Sequence, residues 1–208
     1  MSPAKPLLVL VCLFSPLLLA ATPPPEHPLL TPELLAELEK GGAVIAKSHE
    51  KGEEGNDAAS ASALGLIEKP AAEVWAVLND FEKQPEFMPR LEKVERYETT
   101  PPTIGLNHTL KVLWKRVNYH LLMEVDNAAM RQSWKLDDNK KNDIKTTIGT
   151  WTLLPWGDDR CIVVYDIEVN TGMAVPKFVS QMLLKQDLPS VVDALKQRVE
   201  SGGTWKKD

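Results

Sequence analysis

The amino-acid sequence predicts an α+β protein: a curved antiparallel sheet of about seven strands wrapped around a long C-terminal helix, with two short helices after the first strand. Three observations carry this. The apolar period changes from 3.6 to 2 near residue 90 and stays at 2 for six consecutive segments. Short polar connectors separate those segments, as in an antiparallel meander rather than in crossover units. One long amphipathic stretch, 175–200, closes the chain and is available to cover the sheet's apolar face.

From the N-terminus, residues 7–21 (LLVLVCLFSPLLLAA) form an apolar run behind Lys5, interrupted by Pro16. The run is shorter than the roughly 20 residues of a spanning helix. Ala20 and Ala21 lead into a proline-rich segment, so 1–21 reads as a cleaved signal peptide and the protein as exported, periplasmic or secreted. An uncleaved membrane anchor is the alternative. Residues 22–42 combine a proline spacer (TPPPEHP) with a short helix that Thr31 caps, Pro32 opens and Gly41-Gly42 ends.

The domain proper is expected over 43–200, with 201–208 as a tail. Segments 43–48 and 58–67 can form a hairpin around the charged run HEKGEEGND, a solvated loop. Pro70 opens a helix over 71–80, and a second short helix is expected around 84–88, bracketed by Pro85 and Pro89. Strands follow at 91–99, 104–113, 116–126, 131–138, 145–154 and 160–170, and the closing helix should kink at Pro189.

The formal net charge is −5, and Lys5 is the only charge a cleaved leader would remove. A mildly acidic chain of mixed signs argues against nucleic acid as a partner. Cys12 would leave with the leader, so Cys161 stands alone, which excludes an internal disulfide and a CxxC centre. It reads as a small buried hydrophobe rather than a reactive thiol. His27, His49, His108 and His120 never fall at paired ligand spacing, so no metal and no cofactor are expected. Oligomeric state is left open.

One helix over a strongly bent sheet leaves space beneath it, and a cavity so lined is a ligand site. Strand parity names its lining. Ile104, Leu106, His108, Leu110 and Val112 share a face, as do Val117, Tyr119, Leu121, Met123 and Val125. A turn near Trp114-Lys115 would place Leu110 opposite Tyr119 and His108 opposite Leu121, with His120 turned to solvent. His108 and Tyr119, as inward diagonal neighbours, could bond a ligand's carbonyl or hydroxyl or act as an acid–base pair. The plainer reading has His108 satisfied by a backbone group or buried water. No carboxylate on that face is available to orient it, so no catalytic residue is assigned. Trp134, Trp151 and Tyr165 could form a flat wall, or simply fill the core. Phe178, Met182 and Met173 would add an adaptable wall from the last helix. Trp114 and Trp156 lie beside turns, where a tryptophan can make transient membrane contact or pack partly against the domain.

The stretch IEKPAAEVWAVLNDFEKQPEFMPRLEKVE (67–95), with its proline-led helix, Val74-Trp75, Leu78-Asn79-Asp80-Phe81 and Pro85-Glu86-Phe87-Met88-Pro89, resembles the opening of the START-like, or helix-grip, superfamily. Gly149-Thr150-Trp151, Leu153, Pro155 and Tyr165 resemble strands of its polyketide cyclase/dehydrase and coenzyme-Q-binding branch, and 175–200 resembles that branch's closing helix. The resemblance implies the helix-grip fold and a hydrophobic small molecule or lipid as partner. Three functions remain open: an exported hydrophobic-ligand binding or carrier protein, a cyclase/dehydrase-type enzyme on an aromatic or polyketide-like substrate, or a non-catalytic interaction module.

Overall fold

The computed structural model describes residues 22–51, 58–172 and 186–208. Its elements are α1 (Pro32–Leu38), β1 (Val44–Lys51), β2 (Ala58–Ile67), α2 (Ala71–Asn79), a 3₁₀ segment (Phe81–Glu86), β3 (Leu91–Tyr97), β4 (Ile104–Val112), β5 (Lys115–Asp126), β6 (Arg131–Leu136), β7 (Thr146–Trp156), β8 (Arg160–Asn170) and α3 (Leu188–Glu200). The strands form one sheet in the order β1-β2-β8-β7-β6-β5-β4-β3, with eight members because the first hairpin contributes both its arms. Every pairing is antiparallel; short connectors require it for all but β2–β8, which are far apart in the chain.

Alternation sorts the sheet into two faces. The inward face carries Leu106, Leu121, Met123, Trp134, Trp151, Leu153, Val163 and Tyr165, which join one core with Val74, Leu78, Phe81 and Phe87 and with Leu188, Val192, Leu195 and Val199 of α3. Helix α3 approaches the sheet closely at Gly65, where an added Cβ would stand 2.4 Å from Val192 Cγ1. Its Arg198 is buried, paired with Glu86 at 2.9 Å, and donates to the Trp205 carbonyl, which pins residues beyond the helix against the 3₁₀ segment. Lys207 adds donors to the Met88 and Leu91 carbonyls.

The outward face has a second core over β2, β7 and β8. Leu29, Leu30, Leu35 and Leu38 cover Leu64, Leu66, Ile162 and Val164, so residues 29–38 act as a lid on sheet residues that water would otherwise reach. Trp156 completes that cluster at 5% exposure, donating its indole N–H to the Thr22 carbonyl beneath the Arg160 guanidinium.

Two expectations need correction. The second short helix is 3₁₀ and starts at Phe81, just after α2, with Pro85 in its interior rather than at its start. Residues 186–187 run into α3 in a helical conformation, and the residues before them that would make Pro189 a mid-helix kink lie outside the described ones. The β4–β5 register differs by two from that expected: the loop is Leu113–Trp114, so His108 pairs with Tyr119 directly and Leu110 with Val117. A shift of two preserves parity, so each side chain keeps its face. Residues 52–57 of the first hairpin loop and 173–185, including Met173, Phe178 and Met182, lie outside the described residues.

Candidate functional site

Eight of the expected lining residues are described, and all eight stand on the inward face of β4–β8. They form two groups. On β7, β8 and β6, the Tyr165 ring stacks on Trp151 with centroids 4.1 Å apart at 19°, and Trp134 lies 5.9 Å away at 28°. This makes a flat aromatic wall. The strands allow it because Gly149 sits under Trp134: an added Cβ would be 2.1 Å from Trp134 Cζ2 and 2.5 Å from the Asp166 carbonyl oxygen.

On β4 and β5 the His108 and Tyr119 rings face each other at 5.5 Å and 55°. The inward residues nearest the β4–β5 turn, Leu110, Val117 and Tyr119, are only half-buried, whereas Leu121 and Met123 further along are closed over by the core. The inward face is therefore filled toward one end of the sheet and accessible toward the other.

Three polar groups stand on this apolar surface. His108 is 9% exposed, and its Nε2 is buried with no hydrogen-bond partner among the described residues. Burial pushes its pKa down to about 4, so the imidazole is neutral at physiological pH. Burial pushes the Tyr119 hydroxyl up. Tyr165 is raised by burial and by its proximity to Tyr119, which places the two phenols within electrostatic reach. No carboxylate occupies an inward position of β4–β8. The inward face thus combines a core-packed aromatic wall, two phenols and one imidazole, with no ionised group among them.

Other inward polar residues follow the same parity. Gln132, two positions before Trp134, spends its amide N–H groups on the Leu78 carbonyl and the Asn79 side chain, capping the end of α2. Thr147 Oγ1 accepts from the Trp134 indole N–H at 3.5 Å. Cys161 is fully buried, its thiol pushed up to about 12 by burial, which leaves it unreactive. His120 faces outward as expected but is half-buried rather than free in solvent, held through its backbone N–H to Asn142 Oδ1 at 2.8 Å.

Comparison with known proteins fits this geometry. The profile of a family described as polyketide cyclase / dehydrase and lipid transport matches residues 67–196. No curated protein matches the chain. Among solved structures, the chain is similar to the Zhui aromatase/cyclase from Streptomyces sp. R1128, at 17% identity and TM-score 0.60 over 69% of this chain and 94% of that one. A START superfamily protein from Mycobacterium smegmatis is similar at 19% identity and TM-score 0.57, over 68% and 97%. A STAR-related lipid transfer protein from Xanthomonas axonopodis is similar at 17% and 0.52, over 76% and 99%. These likenesses establish the helix-grip, START-like fold.

Proposed function

We propose that this chain, which belongs to the polyketide cyclase/dehydrase and lipid transport family, is an exported binding or carrier protein for a hydrophobic molecule of lipid, quinone or polyketide-like type. The observation that carries the reading is the inward face itself. It carries a Trp134–Tyr165–Trp151 wall and, on β4 of the same face, a His108 Nε2 that no described group satisfies. A buried polar atom without a partner costs free energy, and a ligand hydroxyl would remove that cost. The wall fits a flat ring or an acyl chain, and the His108–Tyr119 pair fits one hydroxyl or carbonyl at its edge.

Binding is favoured over proton-transfer catalysis by the same electrostatics. A general acid or base works best with a pKa near the working pH, whereas His108 is driven down to about 4 and Tyr119 up. Export rests on the apolar run 7–21 and the small residues that follow it.

Native mass spectrometry of the full chain, purified from its own host, tests the proposal. A co-purifying hydrophobic mass is expected, lost in Tyr165→Ala. An empty protein that also takes up no 2-naphthol, a flat ring with one hydroxyl, would overturn it. N-terminal sequencing of the same sample should begin near residue 22, and an intact Met1 would overturn the cleaved leader.

A further inference from the structure

We propose that the tip of the β4–β5 hairpin docks the protein on an anionic phospholipid surface. The last pair of that hairpin is Val112 with Lys115, which leaves Leu113 and Trp114 as the whole loop. Trp114 is 88% exposed and Leu113 is 39% exposed. Leu113 also holds φ 56°, a left-handed conformation that suits Gly or Asn and disfavours Leu. Turn chemistry and solvation both argue against Leu-Trp here, and both would be served by Gly-Asn. An apolar surrounding for the two side chains resolves the conflict.

The flanking charge identifies that surrounding. Lys111, Lys115 and Arg116 stand directly behind the tip, and residues 111–116 include no acidic residue, against a chain whose net charge is −5. Arg116 also pairs with Glu92 at 2.6 Å. A tryptophan at headgroup depth with cations behind it matches an anionic interface. A protein partner would need a contiguous patch of roughly 1,000 Å² in total, whereas two side chains are all the apolar surface this tip presents. The other turn tryptophan, Trp156, is packed at 5% exposure under Arg160.

The tip has a useful position. It lies at the end of the sheet where Leu110, Val117 and Tyr119 are half-buried. At that same end Arg90 pairs with Asp187 just before α3, and the Arg90 carbonyl accepts the Lys111 N–H at 2.8 Å. Docking would turn the accessible part of the inward face toward the lipid. The proposal nevertheless stands independently of what that face binds, because only the tip takes part.

Sedimentation of the full chain with vesicles of mixed phosphatidylcholine and phosphatidylglycerol tests it, with L113G/W114N as the comparison. That variant installs favoured turn residues, so its melting temperature should equal or exceed that of the parent. Its partition onto the vesicles should fall by about tenfold or more, the worth of one buried aromatic side chain. Trp114→Ala, which leaves Leu113 in place, should show most of that loss. Added salt and pure phosphatidylcholine vesicles should both weaken binding of the parent. Equal partition of parent and variants, as from binding through residues 7–21, would overturn the proposal, as would no vesicle binding by the parent. Equal affinity for neutral vesicles would overturn the anionic choice.

Discussion

The protein has three tyrosines and four histidines, and it builds two Tyr–His pairs from them on opposite faces of one sheet. Outside, the Tyr97 and His120 rings meet edge-on at 5.5 Å and 78°. Inside, His108 and Tyr119 meet at the same centroid distance and 55°. Their surroundings differ completely. The Tyr97 hydroxyl donates to Asp137 Oδ2 at 2.9 Å and reaches the Leu121 carbonyl oxygen at 3.2 Å. Asn142 links the His120 backbone to the Asp137 carbonyl. Burial opposes ionisation of Asp137, but the Tyr97 hydroxyl and the Asn139 N–H hold its pKa below the ordinary value. The outer pair is wired into the 137–142 turn and its polar groups are used up by the fold. The inner pair sits on an apolar surface with its buried nitrogen unspent. Identical residue types thus serve stability on one face and leave a buried nitrogen unsatisfied on the other.

The comparison can be broken in several ways, beginning with the framework beneath the inner face. Gly149→Val would drive its Cβ into Trp134 and the Asp166 backbone, which cannot yield as a flexible side chain would. A loss of about 3 kcal/mol is expected in urea melts, with binding damaged only as a consequence. Wild-type stability with abolished binding would contradict it.

Acid should weaken the inner pair next. With a folded pKa of about 4 against an ordinary 6.5, His108 refuses a proton that the unfolded chain accepts. The unfolded state therefore binds more protons between those values, so stability is complete above about pH 6.5 and falls as the pH drops toward 4. The loss is on the order of 3 kcal/mol. His108→Gln should flatten this part of the stability–pH curve, and an unchanged slope would show that His108 is not held neutral.

Tyr97→Phe should cost about 1–2 kcal/mol, because it leaves the buried Asp137 carboxylate without its phenol donor. Ligand affinity should be unchanged. Tyr119→Phe, the smallest effect on folding, should stay within about 0.5 kcal/mol of the parent, since it removes a buried hydroxyl without breaking a bond to a described group.

How much of this was legible beforehand follows from which contacts are local. Parity alone sorted His108, Tyr119, Trp134, Trp151 and Tyr165 to one face, because alternation needs no knowledge of pairing. The β4–β5 register needed the turn, and Leu113-Trp114 carries none of the Gly or Asn signals that mark a two-residue loop, so the expected pairing was two residues off. The Tyr97–Asp137 bond spans 40 positions and has no sequence signature. The cover of Leu29, Leu30, Leu35 and Leu38 was hidden for a related reason: a proline-rich spacer and a seven-residue helix do not announce which sheet face they will close.

On the proposed function, the inner Tyr–His pair is reserved for a ligand and the outer pair for the fold. Titration of the parent, Tyr119→Phe and Tyr97→Phe with 2-naphthol, followed by quenching of tryptophan fluorescence, tests it most directly. Tyr119→Phe is expected to weaken binding by about fivefold to tenfold, one hydrogen bond's worth, while Tyr97→Phe binds as the parent does. Equal affinities in all three, or a loss confined to Tyr97→Phe, would contradict it.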